Sequence, residues 1–421
     1  MKKSSSVLVA TTTILLLLTA SAIAIAKEVR PGIAILHGIE ADLPNDDLKP
    51  LKRVIRKASV VGLGESIHNS GGYYRLKYRI FRYLVEEMGF RALAFESPWD
   101  PADRVAEYVR TCEGTPEEAL EGLFRNSQSE SVRDLVQWMC EWNRQYPDDP
   151  VYFYGFDLQQ PEYDGPALRA YFERVGLQDD DPRMQGFNRC SHAIFGNHYP
   201  ELSYRECIKR LDQLSRFFDR REARLVRDTS REEFEMARLR LVGFRAWQDT
   251  WFYLVTRPEE VYRAYDARDR AMAWILLRLR DMRFPGVKTA VWAHNYHIVK
   301  GGFEIRHLAS MGTFLDEILG DDYVILGLIG YDVHVDWPGY RCGRMPTRYL
   351  TDESLEQLLH DLGQPWLFVD LDFRGSSKQF LEPGREYQLG EAYFVPRDHF
   401  DGFFFLDYSP RMVPVNRAPC R

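Results

Sequence analysis

Four short apolar runs, each closing on an acid or an imidazole, constrain this chain more than any other feature. Residues 59–63 pass through Gly64 into Glu65 and His68, residues 92–95 end at Glu96, residues 151–156 end at Asp157, and residues 287–293 end at His294. Apolar runs of this length, bounded by glycine and acid, read as buried strands. Between the first two, apolar residues at helical spacing predict an amphipathic helix over 73–88, stopped by Gly89. Helical segments are predicted over 102–146, with breaks near Gly114 and Asn126. Further strands are predicted at 323–328, after a short helix over 314–319, and at 366–370 and 403–406. Strands alternating with helices specify an α/β class: a central, mostly parallel sheet covered by helices. Over residues 166–284 the texture changes to long charged stretches, such as 216–245, with apolar residues at helical spacing. This reads as a mostly helical insertion whose charge runs are solvated helix faces, with a loop at Asp179 to Pro182. The insertion is expected to form one wall of the substrate cleft. Its aromatics Trp247, Trp251, Phe252 and Tyr253 either line that cleft or, the favoured reading, pack the insertion against the sheet.

The 421 residues are 45% apolar, enough for a large core and too many for a disordered chain. A net charge of −7 lacks the basic balance that a nucleic-acid partner calls for. Lys2 and Lys3 precede an apolar run over 7–26 that closes in Ala22, Ala24 and Ala26, the layout of a secretory signal peptide. The run is about twenty residues long, so an uncleaved membrane anchor is the alternative. The expectation is an exported protein, periplasmic or extracellular, with a catalytic domain over 27–421 and no stable membrane span once the leader is removed. Cys112 with Cys140, and Cys190 with Cys207, are near enough in sequence to pair in an oxidising compartment; buried free thiols are the equal alternative. No C-x-x-C occurs, which argues against a zinc ribbon.

If the four acid- or imidazole-tipped strands are parallel neighbours, their carboxyl ends share one sheet edge, where open α/β sheets place ligands. Glu65, His68, Glu96 and His294 would then converge. Each has a plainer reading alone. Glu65 and His68 could open a helix, where an acid suits the dipole; Asp157 could be a cap; His297, three residues beyond His294, could be a core histidine. Their joint position at four strand ends favours a site. G-x-S-x-G, H-E-x-x-H and G-x-x-x-x-G-K-[ST] are all absent. Gly62-Leu63-Gly64 lacks the third glycine of a dinucleotide fingerprint, since Ile67 stands there.

Gly62-Leu63-Gly64-Glu65-Ser66-Ile67-His68-Asn69, with Leu76-Lys77-Tyr78-Arg79 on the next helix, resembles the opening motif of the erythromycin esterase family. The resemblance continues at Phe90 to Glu96, Tyr154 to Gln159, Arg268 to Ala273, Trp292 to His297, Met311 to Leu315 and Phe400 to Leu406, and so spans about residues 55–415. It implies a hydrolase without a covalent nucleophile, in which His68 acts as general base on water, Glu65 and Glu96 are the paired acids, and His294 and His297 form a second histidine pair. A neutral imidazole suits that task near neutral pH. Three positions depart from the pattern. Lys77 stands where arginine is expected, with Arg75 and Arg79 on the same helix as substitutes; Asn69 replaces a common glycine; Tyr296 replaces a smaller residue. All three bear on substrate more than on chemistry. The implied function is cleavage of an ester or lactone in a small molecule, macrolide inactivation included, with no cofactor. One alternative is a metal-dependent hydrolase or peptidase holding a divalent ion on Glu65, His68, Glu96 and His294. A non-catalytic envelope accessory protein is the other.

Overall fold

The computed structural model describes residues 32–159, 161–178, 180–192, 200–301, 309–338, 341–345, 350–371, 381–382, 384–389 and 392–420. The N-terminal apolar run and Asp179, the first residue of the predicted Asp179 to Pro182 loop, lie outside them. In chain order come β1 (Ile33–Ile35), β2 (Val60–Leu63), α1 (Gly71–Met88), β3 (Phe90–Pro98), α2 (Trp99–Thr111), α3 (Glu130–Gln145) and β4 (Tyr152–Asp157). Five helices follow: α4 (Pro161–Arg174), α5 (Pro182–His192), α6 (Glu201–Asp228), α7 (Arg231–Thr256) and α8 (Tyr262–Arg283). Then come β5 (Lys288–Trp292), α9 (Met311–Leu319), β6 (Tyr323–Trp337), β7 (Arg341–Arg344), β8 (Trp366–Asp370), β9 (Tyr387–Leu389), β10 (Ala392–Phe394) and β11 (Gly402–Ser409).

The sheet runs β1-β8-β11-β6-β2-β5-β3-β4, with β7 hairpinned onto β6. From β11 to β4 every neighbour is parallel, while β8 and β1 enter antiparallel. The sheet is thus mixed and flanked by helices. Successive residues face opposite cores: Val60, Ala92 and Ala94 join the apolar cluster shared with the insertion helices, and Val61, Leu63, Leu93 and Phe95 the one beneath α1, α2 and α3. Burial on both faces explains why these strands read as continuous apolar runs rather than alternating ones. The register sets Leu63 of β2 and Phe95 of β3 beside Trp292 of β5, so Glu65, Glu96 and His294 follow one level on three adjacent strands.

Strand β6 runs nine residues past the predicted end at Leu328: it stays paired with β11 as far as Val333, and His334 to Trp337 then pair with β7. In the insertion, Arg240 of α7 bonds Asp100 of α2 and Asp164 of α4, tying the helical layer to the core. Tyr204 stacks on Phe252 at 3.9 Å and Trp247 on Trp251 at 5.7 Å. The first pair packs α6 on α7, and the second lies along α7 itself. Disulfides join Cys112 to Cys140, Cys190 to Cys207 and Cys342 to Cys420. The first two are the pairs that proximity suggested. The third fastens β7 to the C-terminal tail, which crosses the start of α1. There a Cβ on Gly71 would meet the Arg411 carbonyl at 2.7 Å, so only glycine admits the tail. Among the described residues no helix is long and apolar enough to cross a membrane.

Candidate active site

Glu65 and His68 occupy the loop from β2 into α1. His68 Nδ1 donates to Glu65 Oε1 at 2.8 Å, which leaves Nε2 with its lone pair free. The His68 side chain keeps 23% of its surface exposed, against 2% for Glu65. Lys77, two turns into α1, sends its ammonium to Glu65 Oε2 at 2.5 Å and to the Ala293 carbonyl at 3.2 Å, with the Trp292 ring 4.3 Å away. Burial is the largest influence on Lys77 and outweighs the attraction of Glu65, pulling its pKa down to about 8. Burial also works to lower the His68 pKa, yet the Glu65 hydrogen bond and the charges of Glu96 and Glu65 raise it above its ordinary value.

Glu96 belongs to β3 where the register against β4 shifts between Phe95 and Pro98. Such an irregularity re-aims side chains near functional sites. Its Oε2 accepts from the His294 backbone N–H at 2.8 Å, and Arg268 of α8 reaches its Oε1 at 3.3 Å. Burial would raise this carboxyl, but His297, His68 and Arg268 with the His294 amide hold it well below the usual carboxylate range.

His294 has both ring nitrogens engaged. Nδ1 accepts from the Tyr296 backbone N–H at 3.1 Å, so Nε2 carries the proton and donates to the Ser66 carbonyl at 3.1 Å. Burial first, then the neighbouring His68 charge, pulls its pKa down to about 3. His294 is a neutral, fixed ring whose centroid lies 5.0 Å from that of His68. His297 lies deeper: Nδ1 donates to Asp269 Oδ2 at 2.9 Å, and Arg268 faces Nε2 at 3.0 Å. Arg268 also clamps Asp157 with contacts of 2.6 and 3.2 Å.

The five residues singled out in the sequence, Glu65, His68, Glu96, His294 and His297, therefore meet at one sheet edge. Sequence reasoning missed the roles of Arg268 and Asp269, which lie in a quoted motif but on a helix no local pattern could aim. Asp157, a strand-end acid for which a cap was the plainer alternative, is held by Arg268. Neither Arg75 nor Arg79 stands in for the expected arginine. Arg79 is buried on Asp47 and the Gly38 and Pro44 carbonyls, and Arg75 faces Glu40 at 3.9 Å, while Lys77 itself fills the position. Asn69 has φ +67, the left-handed conformation that glycine adopts freely and asparagine tolerates. Asparagine therefore keeps the backbone shape that glycine would give, while its side chain lines the cavity over His68.

A cavity of about 340 Å³ opens over His68 and Glu96, lined by Asn69, by Phe124, Arg125 and Asn126 between α2 and α3, and by Gln159 after β4. Trp337 and Pro338 at the end of β6 and Arg417 of the tail complete it. Among the described residues, none of the insertion lines this cavity. The insertion contributes Arg268 from beneath, and its aromatics are engaged with one another.

A divalent ion does not fit this donor set. Both oxygens of Glu65, both of Glu96 and both nitrogens of His294 are already engaged, and Lys77 and Arg268 each bring a cation onto one of these carboxylates. Among the described residues no group of three or more histidine, cysteine, aspartate or glutamate side chains is arranged to hold a metal.

Comparison with known proteins gives a consistent result. The family model described as Erythromycin esterase matches residues 85–409, beginning downstream of Glu65 and His68. YbfO of Bacillus subtilis (strain 168), which carries a provisional hydrolase name, is 26% identical over 397 residues, 88% of each chain. Erythromycin esterase type II of Escherichia coli is 23% identical over 400 residues, 86% of this chain and 93% of its own. The solved structure of a mutant of the erythromycin esterase EreC in its open conformation superposes with a TM-score of 0.71 at 18% identity, over 90% of this chain and 98% of that one. At that identity the likeness speaks for the fold.

Proposed function

This chain belongs to the erythromycin esterase family and is a hydrolase acting on esters, and on that premise we propose that it activates water with His68 and needs no metal. The observation that carries the reading is the chain Lys77–Glu65–His68. The buried ammonium fixes one oxygen of Glu65, the other oxygen fixes the His68 tautomer, and Nε2 is left facing the cavity. A water on Nε2 gives up its proton as its oxygen attacks the ester carbonyl. The new C–O bond makes a tetrahedral oxyanion, and the imidazolium is stabilised by Glu65 and Glu96. As the intermediate collapses, the C–O bond to the alcohol breaks and His68 returns the proton to the leaving oxygen. General base catalysis of this kind is worth ~10²- to 10⁴-fold. His294, neutral and locked, shapes the site rather than moving protons, and His297 with Arg268 sustains Glu96.

We place the protein outside the cytoplasm. The Lys2 to Ala26 leader pattern and three disulfides suit an oxidising compartment. Its substrate is a small-molecule ester or lactone, and a macrolide belongs in the first panel because of the Escherichia coli relative's name. The test is hydrolysis of an ester panel including erythromycin by the protein lacking residues 1–26 and by His68→Gln, each with and without chelator. Activity lost in the variant but kept with chelator supports the reading. Activity lost to chelator defeats the metal-free mechanism.

A further inference from the structure

We propose that the mouth of the His68 cavity is a recognition site for an anionic group on the substrate, a carboxylate or comparable oxyanion, received between Arg125 and Arg417. The inference rests on the hydrolytic reading and narrows its substrate class. Both guanidinium-bearing residues line the same cavity as His68 and Glu96. Arg125 is exposed, and among the described residues it makes no hydrogen bond or ion pair. That sets it apart from surface arginines elsewhere in this chain, such as Arg110 on Glu107, Arg205 on Glu201 and Arg224 on Asp228. Arg417 is anchored to Asp336 at 2.5 Å and to the Ala418 carbonyl at 3.0 Å, yet its Nε is buried without a partner among the described residues. Glu96, the one carboxylate among the lining residues, is already compensated by Arg268. Arg417 is likewise paired with Asp336, so the uncompensated charge of the lining is the cation of Arg125, with the unpartnered Nε of Arg417 as a second donor.

A cleft lined by one sign of charge raises the local concentration of the opposite ion. Guanidinium is the group best shaped to receive a carboxylate, through two parallel hydrogen bonds. Phe124 and Trp337 flank the cations and offer apolar surface to the carbon chain joining such an anion to the ester. The favoured substrate is thus an ester with a free acid a few bonds from the scissile carbonyl, such as a half-ester of a dicarboxylic acid. An ester bearing an ammonium would meet repulsion at the same place.

Two probes of nearly equal shape test this: mono-4-nitrophenyl adipate, which ends in a carboxylate, and 4-nitrophenyl hexanoate, which ends in a methyl group. At low ionic strength kcat/KM should favour the adipate about tenfold, the size of one hydrogen bond to a charged group, and added salt should shrink the preference by screening. Arg125→Gln, at an exposed and unpaired position that the fold does not need, should bring the ratio near one, and Arg125→Lys should restore part of it. A ratio at or below one in the parent, or a preference unchanged in Arg125→Gln, would overturn the proposal while leaving the hydrolase intact. Turnover of neither ester would defeat the hydrolytic reading instead. The anion site would then stand or fall on calorimetric binding of adipate, measurable in the parent and lost in Arg125→Gln if it exists, absent from both if it does not.

Discussion

At the scale of single residues, the site is a set of charges each held by one specific neighbour, and the pH response follows. His68 acts as base only when neutral. Its pKa is raised above 6.5 because Glu65 and Glu96 outweigh burial, so kcat/KM should climb with pH through a midpoint above that value. Lys77, pulled down to about 8, should supply the falling limb, since its deprotonation leaves Glu65 without a counter-charge. A pH–rate profile of the parent beside Lys77→Arg checks this. Arginine does not titrate in this range, so the alkaline limb should disappear, and a limb unmoved would refute the assignment to Lys77. Asn69 carries a different constraint. With φ +67, Asn69→Gly should fold as stably as the parent, while Asn69→Val should lose ~1–2 kcal/mol in denaturant titration. The identities of Glu65, His68, Glu96, His294 and His297 were legible because each ends or closely follows an apolar run. The service of Lys77 to Glu65 was not, because it depends on how α1 is rotated beneath the loop.

At the scale of elements, the site depends on strands that stop together and on one helix that reaches across them. Parallel pairing of β2, β5 and β3 brings Glu65, His294 and Glu96 to a common edge, and the irregularity in β3 turns Glu96 inward. From α8, Arg268 then joins Glu96, Asp157 and His297 into one buried network. Removing one partner of a buried ion network strands the other charges, which costs ~3–5 kcal/mol. Arg268→Met should therefore lower the unfolding free energy by about that much, and kcat should fall because Glu96 loses its support; a stability loss under ~1 kcal/mol would show that Arg268 is peripheral. The strands themselves were legible from period and length. The end of β6 was misplaced because its distal half alternates polar with apolar as a hairpin, whereas its proximal half is buried on both faces.

At the scale of the whole molecule, the cavity is closed by segments far apart in sequence: the stretch around Arg125, the β6–β7 hairpin and the C-terminal tail. The tail is seated by Gly71 donating to the Pro410 carbonyl, by Arg417 on Asp336 and by the Cys342–Cys420 disulfide. That crosslink spans 78 residues, and in the chain-entropy view a loop of this size is worth roughly 4 kcal/mol. Replacing both cysteines by serine should lower Tm and raise KM more than it lowers kcat, because a wall is loosened while the Lys77–Glu65–His68 chain stays intact. Steady-state kinetics and a thermal melt of the double variant read both effects; an unchanged KM would separate the tail from substrate binding.

The sequence by itself determined what is local: buried strands, their acid- or imidazole-tipped ends, the glycine-stopped helix α1, and the family pattern. These follow from periodicity and from residue type at element boundaries, which need no knowledge of partners. Tertiary contacts were needed to show which cation meets which carboxylate, that His294 is a locked neutral ring, and that the hairpin and the tail line the cleft. The physical reason is that a charged side chain is placed by the low-dielectric contacts that neutralise it. Those contacts join Arg268 to Glu96 and Arg417 to Asp336, pairs separated by 172 and 81 positions, and no window along the chain contains both.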